Sequence, residues 1–296
     1  MQMKAQKNIL AKRNLGSTAI EIAEGIYWVG FYDKLSGLHC NPYLIVDGDE
    51  AVVIDSGSRP DFPVIMMKIL QTGIVPAAIN ALIYQHYDPD LCGNVANFED
   101  IIDRKDLIII SDGRNNMFIR HYSISSNLVS LDAINHCFMF SSGRELRFFN
   151  TPYAHSAGSF VTFDAKTGVL FTSDLFGSFG ATWDVFQNLS PECRKCVTYT
   201  QCPEGRTYCP LPDILRFHKE IMPSGLALQY AIEQIEKIPA TILAPQHGSV
   251  FSNQDDIAFL CSVLKSLKNV GIDGVIALPQ DYQTHVSNPK MPRPLM

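Results

Sequence analysis

Between the apolar run Ala81-Leu82-Ile83-Tyr84 and Gly93 the chain reads Gln85-His86-Tyr87-Asp88-Pro89-Asp90-Leu91-Cys92. One imidazole and two carboxylates at alternate positions, released from the end of a strand, make three convergent metal ligands. The set is oxygen-rich, suited to iron or manganese rather than to a hydrolytic zinc pair. Three further residues stand at similar places. His155 follows Thr151-Pro152-Tyr153-Ala154, Asp174 ends Val169-Leu170-Phe171-Thr172-Ser173, and His247 ends Ile242-Leu243-Ala244-Pro245-Gln246. Singly, each has a plain explanation: a lone His is more often a core or surface residue, and an Asp after a strand is usually a turn or cap. In this order, with Asp55-Ser56-Gly57 ahead of them, they form a constellation.

The elements that must position these residues are legible as periodicities. From Ile20 to Gly30 and from Asn41 to Val46 the pattern is β-like, and Asp47-Gly48 is a tight-turn signal before the buried-strand run Ala51-Val52-Val53-Ile54. Residues 61–72 carry apolar side chains at helical spacing, and strand 80–85 delivers the His86 motif. Asn94 to Phe98 can open a short helix. Further strands are expected at 107–110, 137–140, 146–149, 160–164 and 169–172, with Lys166-Thr167-Gly168 as a hairpin turn. Helices are expected over Leu215–Ile221, Leu226–Lys237 and 254–268, with strand Thr241–Ala244 leading to His247. Residues 1–19 read as an arm, 20–270 as one domain, and the proline-containing tail 271–296 as irregular or partner-dependent. Strands followed by helices in two halves imply an α/β sandwich with chemistry in the loops at the strand ends.

Composition excludes several classes. The chain has 296 residues, 46% apolar and 18% charged, with a formal net charge of −6 and no clustering of Lys or Arg. That balance argues against a nucleic-acid or acidic-membrane surface. No apolar run approaches the roughly 18 residues of a membrane span. Met1 to Asn14 is polar and basic without the apolar core of a signal peptide, so a cytoplasmic location is expected.

Eight cysteines are many for a reducing compartment, and four fall in one polar segment. Cys193, Cys196, Cys202 and Cys209 have the spacing C-x2-C-x5-C-x6-C. Four thiolates could enclose zinc, iron or an iron–sulfur cluster, and a redox centre there could feed electrons to the first site. The alternative is a loop with reduced thiols or two disulfides. Cys40, Cys92, Cys137 and Cys261 read as small core residues, with Cys92 two positions from Asp90.

The ordered constellation resembles the metallo-β-lactamase fold and, within it, the flavodiiron branch, nearest to stand-alone oxygen-binding diiron proteins. The hydrolytic branch shows His-x-His-x-Asp-His, whereas here the run is His86-Tyr87-Asp88-Pro89-Asp90-Leu91. An acidic residue at the second ligand position marks the diiron branch. Thr151–Phe160, Leu170–Gly177 and Arg216–Ser224 carry the same likeness, which spans roughly residues 20–265. It implies an αββα sandwich with a dinuclear site at the rim of two sheets, and a Cys-containing insertion over about 184–213. By this resemblance His86, Asp88 and His155 hold the first iron, Asp90 and His247 the second, and Asp174 bridges. Three carboxylates nearly balance two divalent ions and tolerate the ferric pair, although zinc and manganese stay open as alternatives.

Two departures stand out. The family usually has Glu where Asp88 sits, so a shorter arm must reach the metal or leave a water in place. It has His where Leu91 sits; Leu91 either opens a coordination position beside an apolar side chain or merely packs. Tyr87, Tyr153 and His39 adjoin motif residues and are candidates to hydrogen-bond a bound gas or orient a ligand, with ordinary packing as the alternative. His121, His136, His218 and His285 fit no ligand position.

Three functions compete. The first is a diiron protein that binds dioxygen or another small diatomic ligand as a sensor or carrier, a reading that implies a signalling partner and allows a homodimer. The second is a dioxygen or nitric oxide reductase, an oxidoreductase needing an external electron donor, since the residues after the domain are too few for a flavodoxin domain. The third is a dinuclear hydrolase using a metal-bound hydroxide.

Overall fold

The structure is a computed structural model and describes residues 18–31, 37–123, 125–180, 183–196, 202, 205 and 208–277. Two sheets lie face to face. The first has seven strands in chain order: β1 (Ile20–Ala23), β2 (Ile26–Trp28), β3 (Tyr43–Asp47), β4 (Glu50–Ile54), β5 (Ile79–Ile83), β6 (Ile108–Ser111) and β7 (Asn127–Ser130). β1 to β4 pair antiparallel, and β4 to β7 pair parallel. The crossovers carry α1 (Phe62–Gln71), the short α2 (Pro89–Cys92), α3 (Val95–Ile102) and α4 (Gly113–Ile119).

The second sheet contains β8 (Cys137–Met139), β9 (Glu145–Asn150), β10 (Phe160–Asp164), β11 (Val169–Phe171) and β12 (Ile242–Ala244), ordered β12-β11-β10-β9-β8. β11 and β12 run parallel. Between them in sequence come α5 (Leu211–Ile221) and α6 (Gly225–Ile235); α7 (Gln254–Lys265) and α8 (Ile272–Ile276) follow β12.

The alternation of side chains along each strand creates the layers. On β4, Val52 and Ile54 enter a cluster shared with Phe148, Phe160, Phe171 and Ala244 of the facing sheet. Ala51 and Val53 point the other way, into a cluster with Ile65 and Ile69 of α1 and Phe98 of α3. The outer face of the second sheet packs on α5, α6 and α7 through Ile214, Ile232 and Leu260. This is the αββα metallo-β-lactamase-like sandwich. Away from the strand ends that carry the motifs, buried Arg144 makes a bidentate pair with Asp164 (2.9 and 2.9 Å) and donates to the Val46 carbonyl, tying the two sheets.

Several boundaries differ from expectation. The run 20–30 is a hairpin, broken at Gly25, whose φ of +68° suits glycine. α5 begins four residues before Leu215, at Leu211 with Pro212 in its first turn. The start of the tail is regular: α8 forms there, with Gly271 N–H bonded to the Lys219 carbonyl and Ile272 N–H to the Pro223 carbonyl. The segment expected as an insertion starts inside the core, where Val185, Leu189, Cys193 and Leu211 are buried. The arm 1–17, residues 278–296 and His285 lie outside the described residues.

Candidate dinuclear metal centre

His86, Asp174 and His247 each follow a strand by three residues, at the carboxyl ends of β5, β11 and β12. Because β11 and β12 are parallel neighbours, their loops emerge side by side; Gln246 N–H bonds the Ser173 carbonyl at 2.8 Å. Ser173 has φ of +54°, a left-handed conformation that turns the chain sharply ahead of Asp174. His155 comes from the β9–β10 loop. Asp88 and Asp90 flank Pro89 at the start of α2. Asp88 is the N-cap residue, yet its carboxylate makes no capping bond, which leaves both oxygens for the site.

All three imidazoles present Nε2 to carboxylates. His155 Nε2 is 3.3 Å from Asp88 Oδ2 and 3.0 Å from Asp174 Oδ2. His86 Nε2 is 3.9 Å from Asp88 Oδ2 and 3.8 Å from Asp174 Oδ1. His247 Nε2 is 3.1 Å from Asp90 Oδ2 and 3.7 Å from Asp174 Oδ1. Asp174 therefore stands between the two halves, and its buried Oδ1 accepts no hydrogen bond. A buried carboxylate oxygen without a donor is costly unless a cation faces it. Two donor sets gather with all atoms within 4.8 Å: His86, Asp88 and His155, and Cys40, Asp90 and His247. The residues present fit a pair of metal ions bridged by Asp174.

The far side of each ring is held as well. His247 Nδ1–H donates to the His39 carbonyl at 2.7 Å, which leaves Nε2 as the nitrogen available to a metal. His86 Nδ1 pairs with Ser173 Oγ at 2.9 Å. The backbone N–H of Gln85 bonds buried Asp55 Oδ1 at 3.2 Å, fixing the approach to His86. Asn41 pins the third loop: its Nδ2 donates to the Pro245 and Gly248 carbonyls while its Oδ1 accepts from Trp28 Nε1.

Charge in the site follows from these contacts. Burial works against a charged His155, but hydrogen bonds to Asp174 and Asp88 overcome it and raise its pKa to about 10. Burial likewise opposes ionisation of Asp174, yet His86, His155 and His247 hold it far below the usual carboxylate range. Burial lowers the pKa of His86, whereas at His247 the bond to Asp90 and the nearby charges outweigh it and raise the pKa.

The remaining candidates fall elsewhere. Tyr87 stacks on Phe118 at 4.3 Å, and Tyr153 is 56% exposed. The His39 ring stacks on Trp183 at 4.6 Å, and it is the His39 carbonyl that orients the His247 ring. Leu91 is fully buried among the apolar residues under α1 and α3, so its contacts are those of packing. His218 is a core residue whose Nε2 accepts from Phe176 N–H. Cys193, Cys196, Cys202 and Cys209 form no convergent donor set among the described residues, although burial and then the other three thiols push the Cys209 thiol up. Sequence reasoning missed Cys40, Asn41 and Ser173. Cys40 was expected as a small core residue and is buried, and its thiol also lies within reach of Asp90 and His247. The only local signal was adjacency to the start of β3.

An αββα sandwich with this ligand set at the strand ends defines a metallo-β-lactamase-fold protein with a dinuclear metal centre. The family model for the ODP family beta lactamase matches residues 38–248, and the chain belongs to that family. Among curated relatives, the type A flavoprotein fprA of Rhodobacter capsulatus is 23% identical over 265 residues, covering 78% of this chain and 52% of the relative. The chain spans about half the length, or less, of such relatives. A structure of the peroxy diiron species of the chemotaxis sensor ODP superposes with a TM-score of 0.64 at 21% identity, covering 87% of this chain and 97% of the other. Rubredoxin oxygen:oxidoreductase of Desulfovibrio gigas gives 0.67 at 20% identity, covering 83% and 60%.

Proposed function

We propose that this chain is a non-haem diiron protein that binds dioxygen as a sensor or carrier. The observation that carries the reading is Asp174 Oδ1, buried and without a donor between His86 and His247. His86, Asp88 and His155 would hold one iron, Asp90 and His247 the other, with Asp174 shared. Three carboxylates suit iron better than a histidine-rich hydrolytic set would. A bound ferrous pair supplies the electrons and open positions that dioxygen binding requires. The protein's part is to hold the imidazoles in register, to accept metal in exchange for the His155 proton, and to wall the His247 side with Phe217, 5.5 Å from that ring.

The likeness to a chemotaxis sensor supports a signalling partner that reads the state of the site. No helix among the described residues is long and apolar enough to cross a membrane.

The test is metal analysis of anaerobically purified protein, followed by an optical spectrum on admitting air. About two irons per chain and a lasting visible band support the reading. Rapid bleaching with turnover of an added reductant would replace it with the reductase. Two tightly held zincs without optical change would replace it with a hydrolase. A third metal per chain, lost on replacing Cys193 and Cys196, would place a further ion in the cysteine segment.

A further inference from the structure

We infer that Cys40 is a thiolate ligand of the second metal position, completing a donor set of Asp90, His247, Asp174 and Cys40. The inference rests on the dinuclear reading and concerns the half of the site that Leu91 leaves short of a ligand.

The geometry comes from two backbone ties. His247 Nδ1–H bonds the carbonyl of His39, and the N–H of Asn41 bonds the carbonyl of Gln246 at 2.8 Å. Residue 40 is held between them, against the loop that carries His247. Its position is fixed from behind too, because a Cβ at Gly30 would meet the Cys40 carbonyl oxygen at 2.4 Å. Cys40 Sγ lies 4.0 Å from Asp90 Oδ2, and Sγ, the Asp90 oxygen and the His247 nitrogen are all within 4.8 Å of one another. The unsatisfied Asp174 Oδ1 stands 3.7 Å from the same His247 nitrogen, so the thiol converges where a buried oxygen already lacks a positive partner.

The two halves then differ in chemistry. The first has two imidazoles and two carboxylates. The second has one imidazole, two carboxylates and a sulfur that must lose its proton to bind. A thiolate makes the second position softer, favouring zinc or ferrous ions over manganese.

Cobalt(II) tests this directly, because a bound thiolate adds a near-ultraviolet charge-transfer band that oxygen and nitrogen ligands do not. Metal-free protein is titrated with cobalt, and wild type is compared with Cys40→Ser and with Cys193→Ser. The expected result is a band that grows with the second equivalent, survives Cys193→Ser and disappears in Cys40→Ser, where the second ion binds at least about tenfold more weakly. Two cobalt ions bound by Cys40→Ser with wild-type affinity and an unchanged near-ultraviolet spectrum would overturn the inference and leave the dinuclear site standing. Wild type that fails to take two ions, or takes them without loss in His247→Ala, would instead sink the dinuclear reading. Should Cys40→Ser fold poorly, alkylation of wild type decides: zinc is expected to protect Cys40, scored by peptide mapping, and equal alkylation with and without zinc counts against the inference.

Discussion

Asp174 Oδ1 stands 3.7 Å from His247 Nε2, carried by neighbouring parallel strands, and accepts no hydrogen bond in a buried setting. Its other oxygen is 3.0 Å from His155 Nε2, which belongs to the opposite half of the site. One carboxylate thus faces both halves. Asp174→Ala is expected to lower bound metal from about two ions per chain to one or none, measured by elemental analysis after anaerobic loading. Retention of both ions at wild-type affinity would refute the bridging role.

Ser173 acts through His86. Its hydroxyl pairs with Nδ1 at 2.9 Å, and groups in this position fix ring orientation and basicity. Ser173→Ala is expected to weaken the first metal by about 10–100-fold and the second much less, measured by competition with a chelator. An equal loss at both positions would mean that the substitution disturbs the turn rather than the ring.

Metal uptake should release protons. Hydrogen bonds to Asp174 and Asp88 prevail over burial and hold the His155 pKa at about 10, so at pH 8 the metal-free imidazole is charged. A metal at Nε2 takes the place of that proton. Apparent affinity therefore rises with pH and levels off toward about pH 10, where proton competition ends. Loading at pH 8 in weak buffer is expected to acidify the solution by about one proton per chain or more, read with an indicator dye. Asp88→Asn removes one of the groups that raise this pKa and should reduce the release. Metal uptake with no acidification would contradict the assignment of His155.

Much of the candidate site was legible because its residues are tied to strand ends. His86, Asp174 and His247 each follow an apolar run that is itself a strand, so order along the chain translated into position. Cys40 carried no such mark, because its partners are brought to it by the β11–β12 loops and not by neighbours in sequence. The same holds for α4 and β7. Gly113–Ile119 buries only Asn115 and Ile119; it is held by Asp112, whose carboxylate accepts from Arg114 N–H, and by Asn115 bonding the Gly158 carbonyl. β7 is an edge strand of one Leu and one Val among polar residues, defined by its pairing with β6. Leu91 could be read two ways from sequence, and only its place under α1 and α3 favours packing.

Asn41 carries the last prediction, because it couples stability to one half of the site. It is wholly buried, and its amide reaches Trp28 on β2 and the carbonyls of Pro245 and Gly248 on either side of His247. Asn41→Leu keeps a similar volume but strands the Trp28 indole N–H and the Gly248 carbonyl, while the Pro245 carbonyl keeps the Tyr43 hydroxyl as donor. Each buried group left without a partner costs about 1–3 kcal/mol, so a clear fall in the denaturant midpoint is expected. The loop also loses its register, and the second metal should weaken while the first, held by His86, Asp88 and His155, is spared. Stepwise zinc titration of the folded variant separates the two. A variant that is less stable yet binds both ions as wild type does would show that the Pro245–Gly248 loop positions His247 without help from Asn41.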